Sequence, residues 1–183
     1  MHGILMVLDT IKIESKTWLY NLYFKGHWLQ DTHMEVGMHY LAVKRVHYKL
    51  KQQYSTTGPF FITMLRTLHE DIGKNKETVQ SAAENDIIFH DILGTTSKCS
   101  LRWTDVEFVY IPLNVGQHWV LLVLDINKRK VRVYNSSSKR GDSLKEIRQF
   151  IPCIKFLLPK LMDCFKVYEI KGEEPMGERP LEI

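Results

Sequence analysis

Eight consecutive residues, Trp119 to Ile126 (WVLLVLDI), carry a single charged side chain, Asp125. A run this apolar does not alternate, so it cannot be a half-exposed strand. It is predicted to lie at the centre of a sheet, buried on both faces. Phe108–Ile111 (FVYI) and Val131–Tyr134 (VRVY) flank it as further strands, and the polar stretch Asn127–Lys130 suits a hairpin turn between the last two. Antiparallel pairing across that turn brings together His118, at the start of the central strand, and Asn135, just past the end of the next. A histidine beside a side chain able to hold its imidazole is the base-and-orienter half of a nucleophilic site. The same arrangement also describes a packed, hydrogen-bonded histidine beside a tryptophan at a strand edge.

The wording of the stretch adds a resemblance. V-Y-I-P-L-N-x-x-x-H-W-V-L-L-V-L-D-I followed by V-Y-N-S, residues 109–126 and 133–136, resembles the SUMO-deconjugating cysteine proteases, which are specific for ubiquitin-like modifiers. It is most similar to the divergent branch found in plant genomes and transposons. A second stretch, W-L-x-D at residues 28–31 ahead of a helical pattern, is similar to the same family. The resemblance implies an α+β fold of the papain-like class, with a central, mostly antiparallel sheet flanked by helices. It implies His118 as general base and Asn135 at the position where the family usually has Asp, accepting from the imidazole Nδ1–H. Trp28 and Trp119 would form a narrow tunnel over the modifier's C-terminal glycines, their flat faces excluding any side chain at the scissile bond. Asp31 would meet a basic residue of the modifier, or serve only to cap a helix N-terminus. The implied partners are a SUMO-type modifier and its conjugates, and the implied activity is cysteine-type hydrolysis of the Gly-Gly linkage. A non-catalytic modifier-binding module or a degenerate remnant is the alternative.

Composition bounds the rest. At 183 residues, 44% hydrophobic and 25% charged, the chain is expected to form one globular domain over 1–183, with 28–170 the best-matching part. A net charge of +4 with scattered basic residues argues against a nucleic-acid partner. No transmembrane run and no signal pattern is present, so no membrane association is expected. Three cysteines without a CxxC pair favour a reducing, intracellular setting, nuclear or cytoplasmic. His33, His39 and His47 do not share a helix face and no H-E-x-x-H occurs, so neither a metal nor a cofactor is expected.

Along the chain, the first 24 residues suggest a strand or two. Thr32 and Glu35 form a capping-box signature for a helix with Met34, Met38, Leu41 and Arg45 on one face, and Leu29 acts as an apolar staple ahead of it. Phe60 to Leu68 reads as a core helix. Ser143 and Glu146 open another capped helix, with an interruption at Pro152. Phe165–Ile170 reads as a strand, and the Glu-, Gly- and Pro-rich tail from Lys171 as weakly ordered. Both long helices are expected on one face of the central strand, leaving the other open to water beside His118.

A thiol protease needs its cysteine at a helix N-terminus, where the dipole lowers the thiol pKa. Cys99 precedes the base, an order foreign to the family, and Cys153 lies in an apolar helix where burial raises a thiol pKa. Cys164, in D-C-F, lacks the glutamine before it and the glycine after it. The expectation is a chain that ends before the family's Q…D-C-G segment.

Overall fold

The computed structural model describes residues 6–8, 11–13, 15–116, 118–136 and 145–183. The expected capping pair of Ser143 with Glu146 therefore lies partly outside the described residues.

A four-stranded sheet organises the molecule, with strands in the order β3-β4-β5-β6: β3 (Tyr54–Thr56), β4 (Phe108–Val115), β5 (His118–Asp125) and β6 (Lys130–Tyr134). The last three are antiparallel neighbours, and β3 joins β4 in parallel. The apolar run occupies β5, an inner strand. Alternation divides its side chains: Val120, Leu122 and Leu124 point one way and Trp119, Leu121 and Val123 the other. The first set joins Val109, Ile111, Leu113 and Val131 in the main core, against Phe61 and Leu65 of α3 (Phe61–Gly73) and Ile147, Phe150, Ile154 and Leu161 further on. Helix α3 forms because Phe61, Leu65 and Leu68 recur at a helical interval and bury one stripe.

Helix α2 (Asp31–His47) lies against the opposite face. The Tyr54 hydroxyl donates to the Leu41 carbonyl at 2.7 Å, Tyr54 packs against Tyr110 of β4 as a tilted pair, and Met38 meets Trp119, Leu121 and Tyr134 around a groove. The expectation that both long helices share one face is thus corrected. The two faces of the sheet are covered by different helices, because β5 is apolar on both. The buried positions of α2 also differ from those expected: Met38, Ala42 and Arg45 are inside, whereas Leu41 is exposed. Arg45 is buried because its guanidinium donates to the backbone carbonyls of Tyr54 and Cys99, tying α2 to β3 and to the loop that follows the short helices α4 (Val79–Ala83) and α5 (Asp86–Ile92).

The strand or two expected in the first 24 residues are Met6–Leu8 (β1) and Ile11–Ile13 (β2), and Lys16–Tyr23 is a helix, α1, capped by the Ser15 side chain. Two further expectations are corrected. Phe165–Ile170 is not a strand. Its apolar positions do not alternate strictly, and the adjacent Val167 and Tyr168 are both buried in a single helical turn entered through a left-handed Lys166. The tail is packed: Met176 and Leu181 are buried, and the Asp163 carboxylate accepts from the N–H groups of Met176 and Gly177 at 2.8 and 2.7 Å.

Pro152 and Pro159 explain how that tail is held. The helical chain turns at 149–150 and then runs through a π-helical segment, Cys153–Leu157, into the helix Leu158–Cys164. Pro159 has no N–H for the carbonyl four residues back, that of Lys155. The N–H of Leu181 takes that carbonyl instead, at 3.2 Å. The proline that was expected to discourage the helix creates the acceptor on which the tail docks.

Candidate active site

The β5–β6 hairpin sets the site. Its register pairs Asp125 with Lys130 and Leu121 with Tyr134, which places Asn135 one step beyond β6, opposite Val120. His118 is two residues before Val120 and so on the same face, diagonal to Asn135. The imidazole Nε2 lies 2.8 Å from Asn135 Oδ1. This corrects the nitrogen that was expected. An amide oxygen only accepts, so Nε2–H is the donor in this contact. The ring's orientation turns Nε2 to Asn135 and leaves Nδ1 as the nitrogen directed away from it. The far end of the hairpin is braced by Asp125, which accepts from the Lys128 N–H at 3.1 Å and pairs with Lys128 and Arg132.

Trp119, on the other face, donates its indole N–H to the Leu29 carbonyl at 2.9 Å. That bond draws the 27–30 segment up to β5 and sets Trp28 beside it in sequence, with its own side chain 60% exposed. Leu29 is 37% exposed and contributes its carbonyl to this bond. The segment is fixed from behind by residues that the sequence did not single out. His33 stacks on Trp18 at 4.2 Å, accepts from the Gln30 N–H through Nδ1, and donates from Nε2 to the Trp18 carbonyl. Because His33 caps the start of α2 in this way, the expected Thr32–Glu35 box is not formed. The Thr32 hydroxyl accepts instead from the Trp18 indole at 2.9 Å. Asp31 occupies the first turn of α2, where a carboxylate favours the helix dipole. Between α2 and β5 runs a groove of about 430 Å³ lined by Met34, Met38, Pro112, Trp119, Leu121 and Tyr134, with Asn135 at its rim. The Glu146 carboxylate lies over Gly116, whose φ of +53° and missing Cβ make room for it in the turn before His118.

The three thiols are free: Cys153 is buried, Cys99 half-buried and Cys164 exposed. Cys153 is buried and donates to the Phe150 carbonyl, and burial pushes its pKa up to about 12. Cys164 closes the helix Leu158–Cys164, at the negative end of its dipole, and desolvation and Asp163 both raise its pKa. The Cys99 N–H donates to the Ser97 hydroxyl, within the loop after α5. No group of three or more metal-ligating side chains converges among the described residues. No helix among them is long and apolar enough to cross a membrane.

Comparison with known proteins supplies the lineage. Among solved structures, the C-terminal Ulp1 protease domain in complex with Smt3, the yeast ortholog of SUMO, is 19% identical with a TM-score of 0.51; the match covers 90% of this chain and 61% of that one. A SUMO protease Ulp1 with its catalytic cysteine oxidised to a sulfenic acid is 19% identical over 98% of this chain and 65% of that one, with a TM-score of 0.47. The Ulp1-like SUMO protease catalytic domain of Chaetomium thermophilum is 17% identical over 68% of this chain and 47% of that one, with a TM-score of 0.38. This chain thus spans about three fifths of the first of these domains. No curated protein matches the sequence. The first structural likeness establishes the α+β fold of the Ulp1 catalytic domain. The family model for the Ulp1 protease family, C-terminal catalytic domain, matches residues 27–177, most of the sequence, and the chain belongs to that family.

Proposed function

We propose that this chain contributes the base, its orienting partner and the modifier-tail groove of a cysteine isopeptidase acting on the C-terminal Gly-Gly of a SUMO-type modifier. The observation that carries this reading is the 2.8 Å contact between His118 Nε2 and Asn135 Oδ1. With Nε2–H held by Asn135, Nδ1 is the nitrogen that takes the thiol proton and returns it to the leaving amine. Asn135 orients the ring as an aspartate would, without a full charge to offset the imidazolium. Trp119 and Trp28 flank the path of the glycine tail, and Asp31 stands at its outer end for a basic group of the modifier.

Cys153 and Cys164 sit where a thiolate is disfavoured and Cys99 lies in the loop after α5, so none of the three is proposed as the nucleophile. On this reading residues 1–183 alone hold the modifier tail without cleaving it. Their three free thiols fit a reducing, intracellular compartment. Titrating the purified chain with a SUMO-type modifier ending in Gly-Gly, alongside a fluorogenic C-terminal amide of it, tests the reading. Saturable binding that weakens in Trp119→Ala, with no thiol-dependent release of the fluorophore, is expected. Absence of binding, or hydrolysis that survives His118→Ala, would sink it.

A further inference from the structure

Away from the hairpin, a second cavity of about 490 Å³ opens between α2, the loop after β3, and α5 with the loop that follows it. Its walls combine two chemistries. Met38, Ala42, Phe60 and Ile87 give an apolar body. Glu35, Asp86 and Asp91 supply three carboxyls, and among the described residues no lysine or arginine lines the space, in a chain that has more basic than acidic residues. Asp91 is the informative one, being only 4% exposed. The Thr96 hydroxyl donates to its Oδ1 at 3.0 Å and the Gly58 N–H also steadies it. A carboxylate has about four acceptor positions, so these two donors leave capacity unused. Desolvation accordingly raises its pKa to about 7, against a usual value of 3.8. Buried carboxyls of this kind are costly, and a cavity lined by one beside apolar walls is the setting in which a cation is recognised. Among the described residues the side chains do not converge as a metal site would require.

We infer that this cavity binds an ammonium or guanidinium group carried on an apolar stem, with the cation at Asp91 and the stem between Met38 and Ile87. A free amine and the lysine side chain of a peptide share that chemistry. The titratable groups lining the space besides Asp91 are Glu35 and His39 of α2 and Asp86 and His90 of α5. All of them become less positive or more negative as pH rises, so affinity for a cation rises with pH.

The test uses the whole chain with three probes of one shape: benzylamine as cation, benzyl alcohol as neutral and benzoate as anion. Binding is read from the Met38 methyl and the His39 and His90 imidazole resonances at pH 6 and pH 8. Benzylamine is expected to bind at least tenfold more tightly than benzyl alcohol at pH 8. That preference should shrink at pH 6, and benzoate should not bind. Asp91→Asn should bring benzylamine down to the level of benzyl alcohol, while Ala42→Phe, which fills the cavity, should abolish both. Nα-acetyl-lysine methylamide separates the sources: binding as tight as benzylamine assigns the site to a peptide side chain, and weaker binding assigns it to a free amine. Equal binding of benzylamine and benzyl alcohol in the parent, an undiminished preference in Asp91→Asn, or no response to any probe would each overturn the inference. None of these readouts depends on the modifier or on His118, so failure here leaves the proposed function standing.

Discussion

Replacing Asp91 by asparagine should stabilise the protein above neutral pH and leave it nearly unchanged in acid. The carboxyl is 4% exposed, and burial raises its pKa from 3.8 to about 7. The folded state therefore binds a proton more tightly than the unfolded chain. Below pH 3.8 both states are protonated and no penalty exists. As pH rises from there to about 7, the unfolded chain releases the proton first and stability falls; above about 7 the loss is complete. At ~1.36 kcal/mol per pH unit, the whole interval corresponds to about 4 kcal/mol, and the part between pH 5 and pH 7 to about 2–3 kcal/mol. Asparagine has nearly the same shape, and its Oδ1 can still accept from Thr96, but it does not ionise. Urea denaturation followed by tryptophan fluorescence at pH 5, 6, 7 and 8 isolates the effect, since other titrating groups cancel between the two proteins. The stability of Asp91→Asn relative to the parent should grow by about 2–3 kcal/mol from pH 5 to pH 8. A difference that stays constant with pH would refute the argument that Asp91 is desolvated in the folded chain.

Trp119→Phe should keep the ring but lose the bond to the Leu29 carbonyl, costing about 0.5–1.5 kcal/mol in chemical denaturation and loosening the 27–30 segment to hydrogen exchange. Leu181→Ala, at a buried position that also supplies the N–H for Lys155, should cost about 2–5 kcal/mol and open the tail to limited proteolysis. Cys153 should resist a thiol reagent at pH 8 until the protein is unfolded, because its pKa is pushed up to about 12 and its sulfur is buried. Cys164, although exposed, should react more slowly than a free peptide thiol, since desolvation and Asp163 raise its pKa. Gly94→Ala should destabilise strongly: φ is +64° there, and a Cβ would stand 2.2 Å from the Leu101 carbonyl carbon, with only backbone to give way. Thermal melts would show it.

The hairpin was legible because two independent signals agreed on it. An unbroken apolar run demanded an inner strand, and a polar turn fixed how the next strand returned, so the meeting of His118 and Asn135 followed from counting. Which imidazole nitrogen faces the amide was not legible, because it depends on the ring's orientation rather than on register. Capping at α2 was misread because His33 outcompeted the usual Thr–Glu pair by bonding a backbone N–H on one side and the Trp18 carbonyl on the other. That contact is tertiary and invisible to a local pattern. The tail failed for the opposite reason. Its Glu, Gly and Pro content describes a solvated chain, while two apolar residues five apart, Met176 and Leu181, and a carbonyl orphaned by a distant proline are what dock it. The cavity around Asp91 gave no signal at all, since its walls come from α2, the β3–α3 loop and α5.

The contact between the tail and the hairpin turn also bears on how the sheet avoids sticking to itself. Strand β6 is an outer strand, and an outer strand offers its N–H and C=O groups to any other extended chain. Glu182 forms a parallel bridge with Lys130: its carbonyl accepts the Val131 N–H at 2.7 Å, and its own N–H bonds the Arg129 carbonyl at 3.1 Å. The Lys130 ammonium meets the Glu182 carboxylate beside it. The last few residues therefore act as a short, charged false strand that occupies the first rungs of the edge. Losing them would leave those rungs open for edge-to-edge association of two copies, a route to aggregation that starts from the folded state.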